Sequence, residues 1–151
     1  MRTLRLIGFA IIAIVMSVNF AACGDDDDDF NSADLVGLWE GVTSEYYEKV
    51  NGEIIDEETE NLDDTRMKFN SDGTITAYSK NNGTWVVEEV TPTWQIKDGK
   101  LYTQSEDGEP LIATILELNS ERLVLELIES GTEDGQKWEC YDKSTYRKVT
   151  E

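Results

Sequence analysis

The sequence predicts an all-β fold, an antiparallel up-and-down β-barrel of about eight to ten strands. Three observations carry that expectation. Turn dipeptides recur along the chain at Asn51-Gly52, Asp72-Gly73, Asn82-Gly83, Asp98-Gly99, Asp107-Gly108 and Asp134-Gly135, with Asn119-Ser120 as a seventh; both residues of such pairs accept positive φ, which hairpin loops need. The runs between them are short and rich in Val, Ile, Thr, Tyr and Trp, residues suited to a pleated, half-buried surface. No ten-residue helical pattern interrupts them, and with only Pro92 and Pro110 little breaks the ladders, so closing the sheet is the natural way to protect its edges.

Taken in order, the chain opens with a cationic start, Met1-Arg2-Thr3-Leu4-Arg5, an apolar run from Leu6 to Val18, and Phe20-Ala21-Ala22 before Cys23. The run is short for a bilayer-spanning helix, which wants about 20 apolar residues, and suits a secretion signal over residues 1–22. Ala21 and Ala22 directly before a cysteine resemble the lipobox of bacterial lipoproteins, with Phe20 where that pattern commonly has Leu. The resemblance implies cleavage before Cys23 and attachment of diacylglycerol to its thiol, so that the membrane is a partner through the lipid anchor; the alternative is an uncleaved anchor or plain secretion with a free thiol. Residues 23–34 then read as a tether. Asp25 to Asp29 repel one another and cannot pack. The run resembles the acidic signal that sends some Gram-negative lipoproteins to the outer face of the outer membrane, the alternative being a simple spacer.

From residue 35 to residue 151 the chain reads as one domain. Asn31-Ser32-Ala33-Asp34-Leu35-Val36-Gly37 makes one capped helical turn ended by Gly. Strands follow at about 38–50, 53–59, 65–70, 74–79, 84–97, 100–105, 110–118, 122–129 and 136–149.

Charge narrows the function. With 13 Lys+Arg against 32 Asp+Glu the net charge is −19, and cleavage after Ala22 would remove Arg2 and Arg5 and take it to −21. Nucleic-acid binding needs bases to neutralise phosphates, so that class is excluded. The chain has no histidine, which removes Ser-His-Asp and Cys-His catalysis and His-containing zinc sites. The four Asp-Gly turns miss the calcium-loop template, since Lys68, Trp94, Thr103 and Ser130 stand where its first aspartate belongs. No catalytic residue, cofactor or metal ligand is assigned and the protein is read as no enzyme. Cys140, flanked by Trp138 and Tyr141, reads as a small buried apolar residue. Glu57, Glu58, Glu60, Asp63 and Asp64 read as a solvated acidic loop.

Gly37-Leu38-Trp39 on the first strand resembles the Gly-x-Trp signature of lipocalins. The segments Phe69-Asn70-Ser71-Asp72-Gly73-Thr74, Trp94 to Leu101, and Thr145-Tyr146-Arg147-Lys148-Val149 resemble bacterial lipocalin-like lipoprotein domains. The resemblance implies an eight-stranded barrel that binds a small apolar or amphipathic ligand, closed at one end by a Trp with an Arg from the last strand lying across it. By matched position that pair is Trp39 and Arg147.

An eight-stranded barrel is just wide enough to be filled by its own side chains or to hold one small ligand. Met67 and Phe69, Ile75 and Ala77, Trp94 and Ile96, Leu123, Leu125 and Leu127, Trp138 and Cys140, and Trp85 with Val87 alternate with polar neighbours and are expected inside. Two or three inward tryptophans would fill the lumen; if a cavity remains, Tyr46, Met67, Phe69, Trp85 and Trp94 are its expected lining. The hairpin from Leu111 to Ile128 departs from period two. With the even-numbered residues of its first strand inward, Leu111, Ala113, Ile115, Val124 and Ile128 would lie outside, a patch suited to a protein partner or dimer through Leu111, Ile115, Val124 and Ile128, unless a bulge re-registers the strand.

Overall fold

The structure is a computed structural model that describes residues 30–89, 91–105, 108 and 110–150. The expected signal segment, the lipidation site at Cys23 and the aspartate run lie outside the described residues. One helical turn, α1 (Ser32–Leu35), is capped by the Asn31 side chain, which accepts from the Ala33 N–H. Ten strands follow: β1 (Gly37–Val50), β2 (Glu53–Asn61), β3 (Thr65–Phe69), β4 (Ile75–Asn81), β5 (Thr84–Val87), β6 (Thr93–Lys97), β7 (Lys100–Gln104), β8 (Leu111–Leu118), β9 (Arg122–Glu133) and β10 (Gln136–Val149). At Asn51-Gly52, Asn82-Gly83, Asp98-Gly99 and Asp134-Gly135 both residues have positive φ, the conformation that two-residue hairpins demand.

The ten strands make eight staves. β3 pairs with Gly37–Glu40 of β1, and β2 pairs with Thr43–Val50 of the same strand, so β2 and β3 are two halves of one stave broken at residues 62–64. Gly41 allows that break. A Cβ there would stand 2.4 Å from the Leu62 Cβ and 2.5 Å from its carbonyl oxygen, so any side chain would drive the corner off β1. β5 and β6 are likewise two halves of a stave beside β4. Tyr78–Asn81 pair with Thr84–Val87, Glu88 N donates to Ala77 O at 2.9 Å, and past a bulge Ile75 N donates to Pro92 O at 2.7 Å and Trp94 N to Gly73 O at 2.8 Å. Pro92, which has no N–H, serves there only as an acceptor. The bridge Thr74↔Thr93 thus ties β6, one end of the sheet order β5-β4-β3-β1-β10-β9-β8-β7-β6, to the foot of β4 and curls the antiparallel meander into a barrel.

Directly opposed residues share a face and alternate residues face opposite ways, so the registers sort the lumen from the outside. At one end Trp39, Phe69, Ile75, Trp94, Leu101, Ile115, Leu123 and Tyr146 are buried in one apolar cluster, roofed by Leu35 of α1. Phe69 and Trp94 meet edge to face with centroids 5.7 Å apart. The Trp39 indole N–H donates to Leu35 O at 2.7 Å and that of Trp94 to Asn70 O at 3.1 Å. This end is filled.

The other end is uneven. Beyond its last pair with β3, β1 continues from Gly41 to Val50, roughly 30 Å of strand, accompanied by β2, β10 and β9. These four strands rise as a tall wall past the short β4–β5 hairpin and the ends of β7 and β8.

Two expectations are corrected by the registers. Leu101↔Ala113 and Ile115↔Leu125 put Ala113 and Ile115 on the lumen face, both buried, because the odd-numbered residues of β8 are the inward ones; the irregularity between Ile115 and Glu117 then resets the strand. Val124, opposed to Glu117 and Thr145, is on the outer face but buried. Ile115 and Val124 therefore present no contact surface, and Leu111, opposed to Thr103, also faces inward instead of outside, though it is exposed near the open end; Ile112, Leu116 and Ile128 are exposed as well. The acids Glu57, Glu58 and Glu60, expected in a loop, lie on β2, whose nine residues are all exposed.

Candidate functional site

The expected Trp39–Arg147 closure is replaced by a different pair. Trp39 opposes Lys148, while Arg147 opposes Glu40 one residue along. Strand alternation therefore sends Arg147 outside and Lys148 to the tryptophan: Lys148 Nζ stands 5.0 Å from the Trp39 ring centroid and donates to Asp34 O at 2.7 Å, tying the last strand to α1. A cation there is worth about 0.5 to 2 kcal/mol. Outside, buried Glu40 accepts from Arg66 Nε at 2.7 Å and Nη2 at 2.5 Å and from Arg147 Nη2. The Arg147 bond first, then Arg66, holds the Glu40 carboxyl below its usual range against the opposing effect of burial.

Of the five expected lining residues, Phe69 and Trp94 belong to the filled end and Met67 packs against it. Trp85 does not face the lumen. It opposes Lys80, on the outer face, with the Arg66 guanidinium 4.1 Å from its ring centroid. Val87, two residues on, points the same way. Tyr46 alone stands on the tall wall, across from Asp142 and Glu58.

The inner face of that wall is the remaining concave surface. Its rows across β2, β1, β10 and β9 read Glu60, Ser44, Ser144, Leu125; then Glu58, Tyr46, Asp142, Leu127; then Asp56, Glu48, Cys140, Glu129; and at the rim Val50, Trp138, Gly131. Leu125, Leu127, Tyr46, Cys140 and Trp138 are half-buried. Gly131 gives the rim its shape, since a Cβ there would lie 2.7 Å from the Trp138 ring that covers it. Nearest the filled end, Asp142 is held by Ser44 Oγ at 2.7 Å and Ser144 Oγ at 2.6 Å. Tyr46 donates to Cys140 Sγ at 3.9 Å; burial, then this bond and the nearby Glu48 and Asp56, push the phenol up to about 12. Burial also raises the Cys140 thiol, with Glu48 and Glu129 adding to it and the Tyr46 bond opposing, which favours the thiol over the thiolate. Among the described residues no three carboxylates or thiols converge as a metal site. The acids form a field rather than a chelate.

The outer face of the same wall is self-satisfied. Lys143 pairs with Glu45 at 3.1 Å and Lys49 with Glu139 at 3.2 Å. Tyr47 and Tyr141 stack face to face at 4.6 Å, and Lys49 Nζ covers Tyr47 at 4.3 Å. A shallow hollow of about 780 Å³ borders this stack, lined by Glu45, Tyr46, Tyr47, Glu57, Glu58, Thr59 and Tyr141. Its rings spend their faces on each other.

Acids occur on both faces, but the bases above the filled end keep to one. Lys49, Arg66, Lys80, Arg122, Lys137, Lys143 and Arg147 all fall on the outer face by register, and Lys148 lies on the inner face only within the filled end. Above that end the described inner face carries acids and no base.

A lipocalin-like domain model matches residues 35–125. The chain belongs to the lipocalin-like domain family. Its all-β architecture, an antiparallel meander curled into a barrel, is that of the family. Among known structures, bovine odorant-binding protein in complex with a selenium-containing odorant is 23% identical over 80% of this chain and 77% of that one, with a TM-score of 0.39. The same bovine protein with its natural ligand is 22% identical over 84% and 79%, with a TM-score of 0.38. No curated protein matches the chain. The lipocalin-like fold is one suited to small hydrophobic ligands, and in this chain the filled end moves the available surface to the tall wall. The sequence places Leu127, Trp138 and Cys140 inward and offers Tyr46 as lining, but not Asp142, although Asp142 and Ser144 standing between Cys140 and Tyr146 at every second position of one strand are a readable sign of a polar patch on an inward face.

Proposed function

We propose that this lipocalin-like protein is a non-enzymatic binding module, lipid-anchored through Cys23 at the outer membrane of a Gram-negative cell and displayed on its surface, that holds a small amphipathic ligand bearing a positive charge. The observation that carries the ligand class is the one-sided placement of the bases: the inner wall sets Leu125, Leu127, Tyr46 and Trp138 beside Glu48, Asp56, Glu58, Glu129 and Asp142 with no described base on that face. An apolar body gains from covering the first group, and an ammonium head gains from the second in a partly desolvated setting. An anionic head meets carboxylates there and finds described bases only at the rim, where Lys49 and Lys137 border a hollow beside Trp138. The anchoring reading rests on Ala21-Ala22-Cys23 and the following aspartates; two or more acyl chains hold a protein firmly where one does not.

Binding of dodecylammonium and of laurate, which share a chain length and differ in head charge, tests the ligand class. Dodecylammonium is expected to bind at least tenfold more tightly, with the preference shrinking as salt rises; equal or tighter laurate binding overturns it. Intact mass of protein from the native host, with or without an acyl adduct on Cys23, tests the anchor. A second reading, a scaffold that engages another protein, draws its support from the filled base of the barrel.

A further inference from the structure

The tall wall ends in two edges, and they are built differently. β2 forms one of them and carries Glu53, Asp56, Glu57, Glu58 and Glu60 along nine exposed residues, the charge-guarded edge by which sheets discourage further pairing. β9 forms the other. Its last pair with β8 is Thr114↔Glu126; beyond it, among the described residues, β9 pairs only with β10 as far as Glu133 and β8 pairs only with β7 back to Leu111. A wedge opens between them. Had the ladder continued, Ile112 and Ile128 would oppose each other; instead they are 43% and 55% exposed, with Leu111 beside them at 46%. The free stretch from Ile128 to Glu133 is roughly 20 Å long.

We infer that the free edge of β9, from Ile128 to Glu133, accepts an extended segment of a partner protein as an added strand, one that alternates apolar and basic residues. Strand addition of this kind draws affinity from main-chain hydrogen bonds and specificity from alternate side chains. The alternation is set by the faces. Ile128, Ser130 and Thr132 lie outside and Glu129 and Glu133 inside, so the incoming strand places apolar residues against Ile128 and Ile112 and bases against the two glutamates. Charge selects the occupant. Neither β8 nor β9 from Leu123 to Glu133 contains Lys or Arg. A second copy adding its own β9 would bring further glutamates to the same rows, and like charges directly opposite destabilise a ladder between chains that each carry −19.

Three capped octapeptides test this on the whole protein: four Lys-Val repeats, the same peptide with alternate backbone nitrogens methylated, and four Glu-Val repeats. The first is expected to bind and to slow hydrogen exchange at the amides of residues 128–133. Backbone methylation keeps the charge but blocks strand addition, and is expected to cost at least tenfold, as is Ile128→Lys, which places a guarding charge on the edge. Equal binding of the methylated peptide, or protection confined to β2, overturns the proposal. So does a free protein that sediments as a dimer dissociated by Ile128→Lys, which would give the edge to a second copy. Should Ile128→Lys fail to fold, the exchange map of the unaltered protein with the first two peptides decides alone.

Discussion

The two ends of this barrel use the same strands for opposite purposes. At the filled end β1 and β10 bring Trp39 and Tyr146 into an apolar cluster in which the indole N–H groups of Trp39 and Trp94 are satisfied. Further along β1 and back along β10, the same two strands bring Tyr46, Glu48, Cys140 and Asp142 to a half-buried face rich in carboxylates. The first end carries the stability that lets the second remain polar and open. Polar, uncompacted surface contributes little to folding, and in a domain of this size a few buried aromatics must supply what it does not.

That division predicts unequal costs for substitutions on the two ends. Trp39→Ala removes a fully buried indole and its bond to Leu35 O and should cost about 4 kcal/mol in urea denaturation; a cost below about 1 kcal/mol would mean the plug does not hold the fold. Glu40→Gln should cost roughly 1 to 2 kcal/mol at pH 7, since it leaves Arg66 and Arg147 without their carboxylate. The sign of its pH dependence follows from the lowered Glu40 pKa. The native carboxylate stabilises above its ordinary value of 4.5 and loses that contribution as pH falls through the lower folded value, so the gap between native protein and variant should narrow in acid.

Lys148→Met should cost about 1 kcal/mol and change the emission of Trp39, whereas Arg147→Met should leave that emission unaltered, because only Lys148 lies over the ring. On the tall wall, Tyr47→Ala should cost about 1 kcal/mol through loss of the stack on Tyr141. Tyr46→Phe should scarcely affect stability near neutral pH, and in a spectrophotometric titration it should delete the phenol that ionises near pH 12. A phenol raised in the folded state is neutral in the native protein while the unfolded chain ionises, so native Tyr46 costs stability as pH climbs above 10 and the Phe variant should resist alkali better.

How much was legible in the sequence differs between the two ends for physical reasons. Hairpins at Asn-Gly and Asp-Gly pairs and the inward set Met67, Phe69, Ile75, Trp94 and Leu123 follow from local rules, positive φ and period two. The single run expected at 84–97 is one stave in two pieces, its register against β4 shifting between Glu88 and Pro92. What failed depended on register between distant strands. Trp39 and Lys148, or Ala113 and Leu101, meet only because of how strands remote in sequence slide past each other, and one residue of slip exchanges the faces. That is why Arg147, Trp85 and Ile115 were assigned to the wrong sides. The unequal height of the wall likewise comes from pairing lengths, which no local pattern encodes.

Paramagnetic broadening by a spin-labelled dodecylammonium, read on the backbone amides of the intact domain, probes the binding surface most directly. Broadening centred on Tyr46, Leu127, Cys140 and Trp138, and lost in Leu127→Lys, is the expected result. Broadening centred instead on Tyr47 and Tyr141 across the outer face, or on the cluster around Trp39, would contradict a ligand site on the inner wall.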